Sequence, residues 1–146
     1  MTVNIVKLSV GTESVEDLAR WQQGRREVMQ KTTGRDEAFH TTRMVPKRQA
    51  ELLDGGSVYW VIKGVIQVRQ RILDFRDGNK QDGTPCCLII LDPDLRHVRP
   101  TPRRAFQGWR YLDPDDAPPD LPHGRGHELA EMPPWMRREL AELGLI

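Results

Sequence analysis

Cysteine is almost missing from this chain of 146 residues: there are two, Cys86 and Cys87, and they are adjacent. Sequence neighbours rarely bridge, because the disulfide geometry strains the peptide between them. A disulfide framework is therefore excluded, which favours a reducing compartment. Long apolar runs are missing too. None approaches the roughly 20 residues that a membrane-spanning helix needs. The opening Met1-Thr-Val-Asn-Ile-Val-Lys7 also lacks the charged and apolar regions of a secretory signal. These absences predict a cytoplasmic protein with no membrane partner. There is no Gly-x-Ser-x-Gly elbow, phosphate loop, dinucleotide fingerprint or His-Glu-x-x-His zinc motif. No cofactor or metal is expected, and the case for an enzyme is weakened.

Net charge is nearly absent as well, but the value of +1 hides an asymmetry. Residues 60–110 hold ten Lys/Arg against five Asp/Glu, while residues 111–146 hold three against eight. The middle is basic and the tail acidic. With 38% hydrophobic residues the chain can bury a real core, and its length suits one domain.

The strongest β signal is Gly55-Gly-Ser-Val-Tyr-Trp-Val-Ile-Lys-Gly-Val-Ile-Gln-Val-Arg-Gln-Arg-Ile-Leu73, rich in Val and Ile and bounded by turn residues. Read with a period of two, Trp60, Ile62, Ile66, Val68 and Ile72 form a core face interrupted by Gly64 and Gln70. Tyr59, Val61, Lys63, Val65, Gln67, Arg69 and Arg71 form the opposite face, which carries three cations. A straight strand from 58 to 73 would span roughly 50 Å, too long for a small domain. A bend or bulge at Gly64 is therefore expected.

Around it, residues 2–10 predict a central strand, and Ser14-Val-Glu-Asp17 predicts the capped start of a helix running to about residue 30. That helix would bury Val15, Leu18, Trp21 and Val28. A strand at 38–45 and a short helix at 47–53, opened by Pro46, precede the central stretch. A loop at 77–83 leads into a buried-type strand at 86–91, then an extended stretch carrying His97 and Arg99. Residues 105–112 read as a last strand or packed aromatic segment. Residues 113–122, with four prolines and four aspartates, read as an extended linker. A terminal helix at 135–143 would dock through Met136, Leu140 and Leu143. The fold class is α+β: a strongly bent mixed or antiparallel sheet, with closure into a small barrel as one form, two N-terminal helices and one C-terminal helix. Residues 1–112 would be the globular domain and 113–146 a tail packed on it.

The first candidate site is a basic sheet face. Lys63, Arg69, Arg71, Arg103 and Arg104 would neutralise phosphates, Gln67 would add hydrogen bonds, and Tyr59 or Trp109 would stack on bases. The expected partner is RNA or another phosphate-bearing polymer. The bland alternative is a solvated face, or pairing with Asp113, Asp115 or Asp116 of the tail. A second reading places His97, Arg99 and one cysteine in the pocket of a small enzyme or ligand-binding protein. A third uses the C-terminal tail as a protein-interaction arm. His123-Gly-Arg-Gly-His127 with Glu128 has ligand types, but its glycines favour a loop over a rigid metal site. His40 reads as an ordinary polar strand position.

Several segments together resemble a bacterial family of unknown function, domain of unknown function 1489. They are Val3-Asn-Ile-Val-Lys-Leu8, Trp60-Val-Ile-Lys-Gly-Val-Ile-Gln-Val-Arg-Gln-Arg71, Leu91-Asp-Pro-Asp94, Pro102-Arg-Arg-Ala-Phe-Gln-Gly-Trp-Arg-Tyr-Leu112, Asp116-Ala-Pro-Pro-Asp-Leu121 and Arg138-Glu-Leu-Ala-Glu-Leu-Gly144. That resemblance covers nearly the whole chain and implies no activity or site. The order Pro46, Leu52-Leu53, Gly55-Gly56 and following strand is similar, more distantly, to the ASCH branch of the PUA-like domains. Those are small β-barrels often linked to RNA. The branch's Gly-x-Lys-x-x-Glu-x-Arg signature is absent, because Val58-Tyr-Trp-Val61 stands where its Glu and Arg should be.

Overall fold

A computed structural model describes residues 1–80, 82–104, 106–121 and 132–143. Strand β1 (Asn4–Leu8) leads into helix α1 (Val15–Thr33), whose start is fixed by Ser14: its hydroxyl accepts from the Asp17 amide. Gly34, at φ 77°, closes the helix by donating its N–H to the Gln30 carbonyl. Then come β2 (Ala38–Thr42), the short α2 (Gln49–Leu53), β3 (Ser57–Ile62), β4 (Val65–Asn79), β5 (Pro85–Leu91), β6 (Arg96–Pro102) and β7 (Trp109–Leu112). A 3-10 turn (Pro114–Asp116) and helix α3 (Pro134–Glu142) follow. Among the described residues no helix is long and apolar enough to cross a membrane.

The class is α+β as expected: among the described residues, a seven-stranded mixed sheet with three helices. The strand order is β2-β5-β4-β3-β1-β7, with β6 also on β4, and the sheet is not closed. β1 and β3 run parallel, and the other pairs are antiparallel. β5 and β6 follow one another along β4, β5 pairing with Asn79 to Ile72 and β6 with Arg69 to Val65.

The central stretch is two strands, not one. The chain reverses completely at Lys63-Gly64, where φ is 53° and 76°, so the expected bend is a two-residue hairpin turn. Ile62 and Val65 pair directly, and Gln67 is an extra residue that shifts the register between Trp60/Val68 and Val61/Ile66. The turn and bulge reassign the faces. Val58, Trp60, Ile62, Val68 and Ile72 enter one core with Ile5, Leu18, Leu52 and Leu91. Tyr59, Val61 and Ile66 enter a second, with Val6, Val98 and Leu112. Ile66 therefore lies opposite the face expected for it.

Helix α1 also differs. Val15 and Leu18 are buried, but Trp21 and Val28 are 48% and 62% exposed, and Gln22 takes the inward place. Gln22 and Gln70 exchange amide hydrogen bonds at 2.7 Å, and Gln70 Oε1 also accepts from Trp60 Nε1 at 2.9 Å. The polar interruption of the core face is thus the anchor of α1. Gly56 admits no side chain, since a Cβ would lie 2.3 Å from the Val3 carbonyl oxygen.

Residues 113–121 lie on the domain. Val98 and Asp120 form an antiparallel bridge, with the Arg99 N–H donating to the Pro119 carbonyl and the Leu121 N–H to the His97 carbonyl. The chain thus leaves β7, at one end of the sheet, and crosses to the β6 edge.

Candidate functional site

The face of the second core turns polar toward one end, which we call the mouth. Along β1, Asn4 continues the row of Val6 and Leu8, and along β3, Ser57 continues that of Tyr59 and Val61. On β4, Arg69 stands opposite Tyr59 and Arg71 opposite Ser57. The Asn4 side-chain oxygen accepts from the Ser57 N–H at 2.9 Å, which ties β1 to β3 at the mouth.

Arg69 is held on three sides. Its Nε and Nη2 donate to the two Asp120 oxygens at 2.7 Å each, and its Nη1 donates to Ser57 Oγ at 3.0 Å. The bidentate pair keeps the Asp120 carboxyl below, and the Arg69 guanidinium above, their ordinary pKa ranges. Tyr59 is 7% exposed, and burial raises its phenol. Two clefts meet at Gly55 and Arg69. One, about 350 Å³, is walled by Tyr59, Asn4 and the prolines of residues 114–119. The other, about 390 Å³, is lined by Arg71, Arg96, Asp92 and Asp94. Arg71 is exposed and has no ion pair among the described residues, and Arg96 meets Asp94 at 3.3 Å with both side chains largely in water.

The residues expected to form one basic face are therefore dispersed. Arg69 and Arg71 share the mouth, whereas Lys63 sits in the hairpin turn, 3.2 Å from Glu13. Gln67 is buried, donating to the Ile62 carbonyl and accepting from Arg137 Nη1 at 2.8 Å. Tyr59 and Trp109 are buried in the cores, so neither offers a ring face for stacking; Trp109 Nε1 donates to the Met44 carbonyl. Arg103 and Arg110 flank Phe106, each 5.5 Å from its ring centre, and the Arg103 N–H donates to the Gly64 carbonyl. Arg104 is exposed. The bland alternative of pairing with the acidic tail holds for Arg69, through Asp120 rather than Asp113, Asp115 or Asp116.

The grouping of His97 with a cysteine does not occur. His97 pairs with Val68 and Cys87 with Asp77, nine residues apart on β4, or about 30 Å. Burial, then Asp77, raises the Cys87 thiol, which disfavours the nucleophilic thiolate. Burial also lowers His97. The terminal helix docks through a residue that its apolar pattern concealed: Arg137 is 2% exposed, while Leu143 is 67% exposed. Arg137 Nε has no partner among the described residues, and burial lowers the guanidinium pKa. His123, His127 and Glu128 lie outside the described residues, among which no group of His, Cys, Asp and Glu could hold a metal.

Fold and mouth together define an α+β protein with an open, seven-stranded mixed sheet and a polar, arginine-lined opening. The family model described as "Protein of unknown function (DUF1489)" matches residues 5–146, and the chain belongs to that family. No curated protein and no solved structure matches it.

Proposed function

We propose that the protein is a non-catalytic module that binds single-stranded nucleic acid, RNA above all, at the mouth. The observation that carries this reading is the convergence of Arg69, Arg71 and Arg96 on one concave surface, with Arg71 unpaired among the described residues. Guanidinium forks suit phosphate oxygens, and Arg69 and Arg71 stand on β4 with Arg96 at the start of β6. Asp92, Asp94 and Asp120 offset the three charges. That balance argues against a surface that holds any polyanion by charge alone, and for one that also uses hydrogen bonds. The distant likeness to PUA-like domains belongs to the same reading, supported by the order of helix, glycine and core strand.

Fluorescence anisotropy with labelled single-stranded RNA, duplex RNA and DNA at several salt concentrations tests it. Saturable binding to the single strand, weakening log-linearly with salt, is expected. Arg71→Glu with Arg96→Glu is expected to weaken it at least tenfold while leaving the Tm within about 2 °C, since both side chains are exposed. Binding unchanged in that variant, or none by the wild type at low salt, would overturn the reading.

A further inference from the structure

The mouth has two compartments of different chemistry, and their adjacency is specific. The Arg71 side is polar and charged on all walls, while the Tyr59 side pairs polar groups with the flat apolar surfaces of Pro114, Pro118 and Pro119. Two hydrogen-bonding groups on the Tyr59 side have no partner among the described residues. One is the Tyr59 hydroxyl, which lies on a buried ring yet lines the cleft. The other is the Asn4 amide. Its oxygen is committed to the Ser57 N–H, a group that can only donate, which fixes the amide orientation and leaves the NH2 for the cleft. Neither atom is sealed in the interior, so both are open to a ligand or to water in the cleft.

We infer that the two clefts form one nucleotide site, in which the Tyr59 side holds a base and the Arg71 side its phosphate. The ligand class is a ribonucleoside monophosphate, either free or as an unpaired nucleotide of an RNA chain. The base lies against the proline wall, and its carbonyl or ring-nitrogen edge meets the Asn4 NH2 and the Tyr59 hydroxyl. Arg69, immobilised by Asp120 and Ser57, forms the partition. Arg71, two residues further along β4 and so about 7 Å away, reaches the phosphate together with Arg96. The carboxylates of Asp92 and Asp94 beside these arginines limit how many phosphates the site takes, which favours one nucleotide over a continuous backbone track.

The proposal rests on the nucleic-acid reading but separates from it by experiment. Calorimetry would measure binding of the four ribonucleoside 5′-monophosphates, the four nucleosides and inorganic phosphate, and each would compete against labelled single-stranded RNA. At least one monophosphate is expected to bind at least tenfold more tightly than its nucleoside or phosphate. Tyr59→Phe, which removes only the hydroxyl, is expected to weaken that monophosphate about fivefold without changing the Tm. Arg71→Ala is expected to erase its advantage over the nucleoside. RNA binding that no monophosphate competes for would overturn the nucleotide site and leave the nucleic-acid reading standing. A monophosphate that binds when RNA does not would leave the site standing for a free nucleotide and overturn the nucleic-acid reading. Phosphate competing as well as any monophosphate, or Tyr59→Phe binding like the wild type, would overturn the base-holding compartment.

Discussion

His40 places both ring nitrogens in the interior with no hydrogen-bond partner among the described residues, its ring set edge-on against Trp60 at 5.1 Å. Burial, with Lys7 and Arg25 nearby, pushes its pKa down to about 3. The unfolded chain takes up a proton at the ordinary value of about 6.5 while the folded protein does not. His40 therefore contributes no penalty above pH 6.5. Below it, stability falls by about 1.4 kcal/mol per pH unit until pH approaches 3. His40→Phe removes the titration and keeps the ring. Denaturant unfolding at pH 7 and pH 4.5 is expected to give a loss about 2–3 kcal/mol smaller in the variant than in the wild type. Equal losses would mean that the folded imidazole does accept a proton. His40 departs from an ordinary polar strand position: alternation places it on the inner face of β2, and nothing local in the sequence indicates that Trp60 of β3 packs against it.

At the level of elements, most of the architecture was legible because its signals are local. The Ser14 cap, the glycine after α2, the buried run of β5 and the terminal helix each follow from a few adjacent residues. The β3–β4 hairpin was not read. The two-residue turn shifts the alternation by one, putting Ile62 and Val65 on one face, but the extra residue Gln67 shifts it back, so from Val68 onward the hydrophobic pattern resumes as if the strand had continued through Lys63-Gly64. Glycine at the second turn position was the available signal, weakened by a lysine where asparagine or aspartate is usual. Lys63 at φ 53° carries the strain of a residue with a Cβ in the left-handed region. Lys63→Asn is therefore expected to raise stability by about 0.5 kcal/mol. The exposed contact with Glu13 that it forfeits is worth little. A shift of the denaturant midpoint upward, at constant slope, is the expected reading; a shift downward would mean that the Glu13 contact outweighs the backbone strain.

For the molecule as a whole, the asymmetry of charge along the sequence becomes a spatial tie. The acidic tail was legible as a partner for the basic middle, but not which acid would meet which base. That choice is made by the bridge between Val98 and Asp120, a long-range register with no local signature, which sets the carboxylate against the Arg69 fork. The same limit hid the Arg137–Gln67 contact, in which a bulged residue of β4 receives a cation from the last helix. The Arg69–Asp120 pair is partly exposed, the side chains being 21% and 41% accessible, so its coupling is expected to be about 1 kcal/mol rather than that of a fully buried pair. A double-mutant cycle with Arg69→Ala and Asp120→Ala, followed by denaturant unfolding, measures it. Each single variant is expected to lose more than the coupling energy, because Ser57 loses its donor in one and Arg69 keeps an unpaired charge at the mouth in the other. Purely additive losses would mean that the backbone bridge alone holds residues 118–121 in place. The pair would then be a consequence of where residues 113–121 lie beside the clefts and no part of its cause.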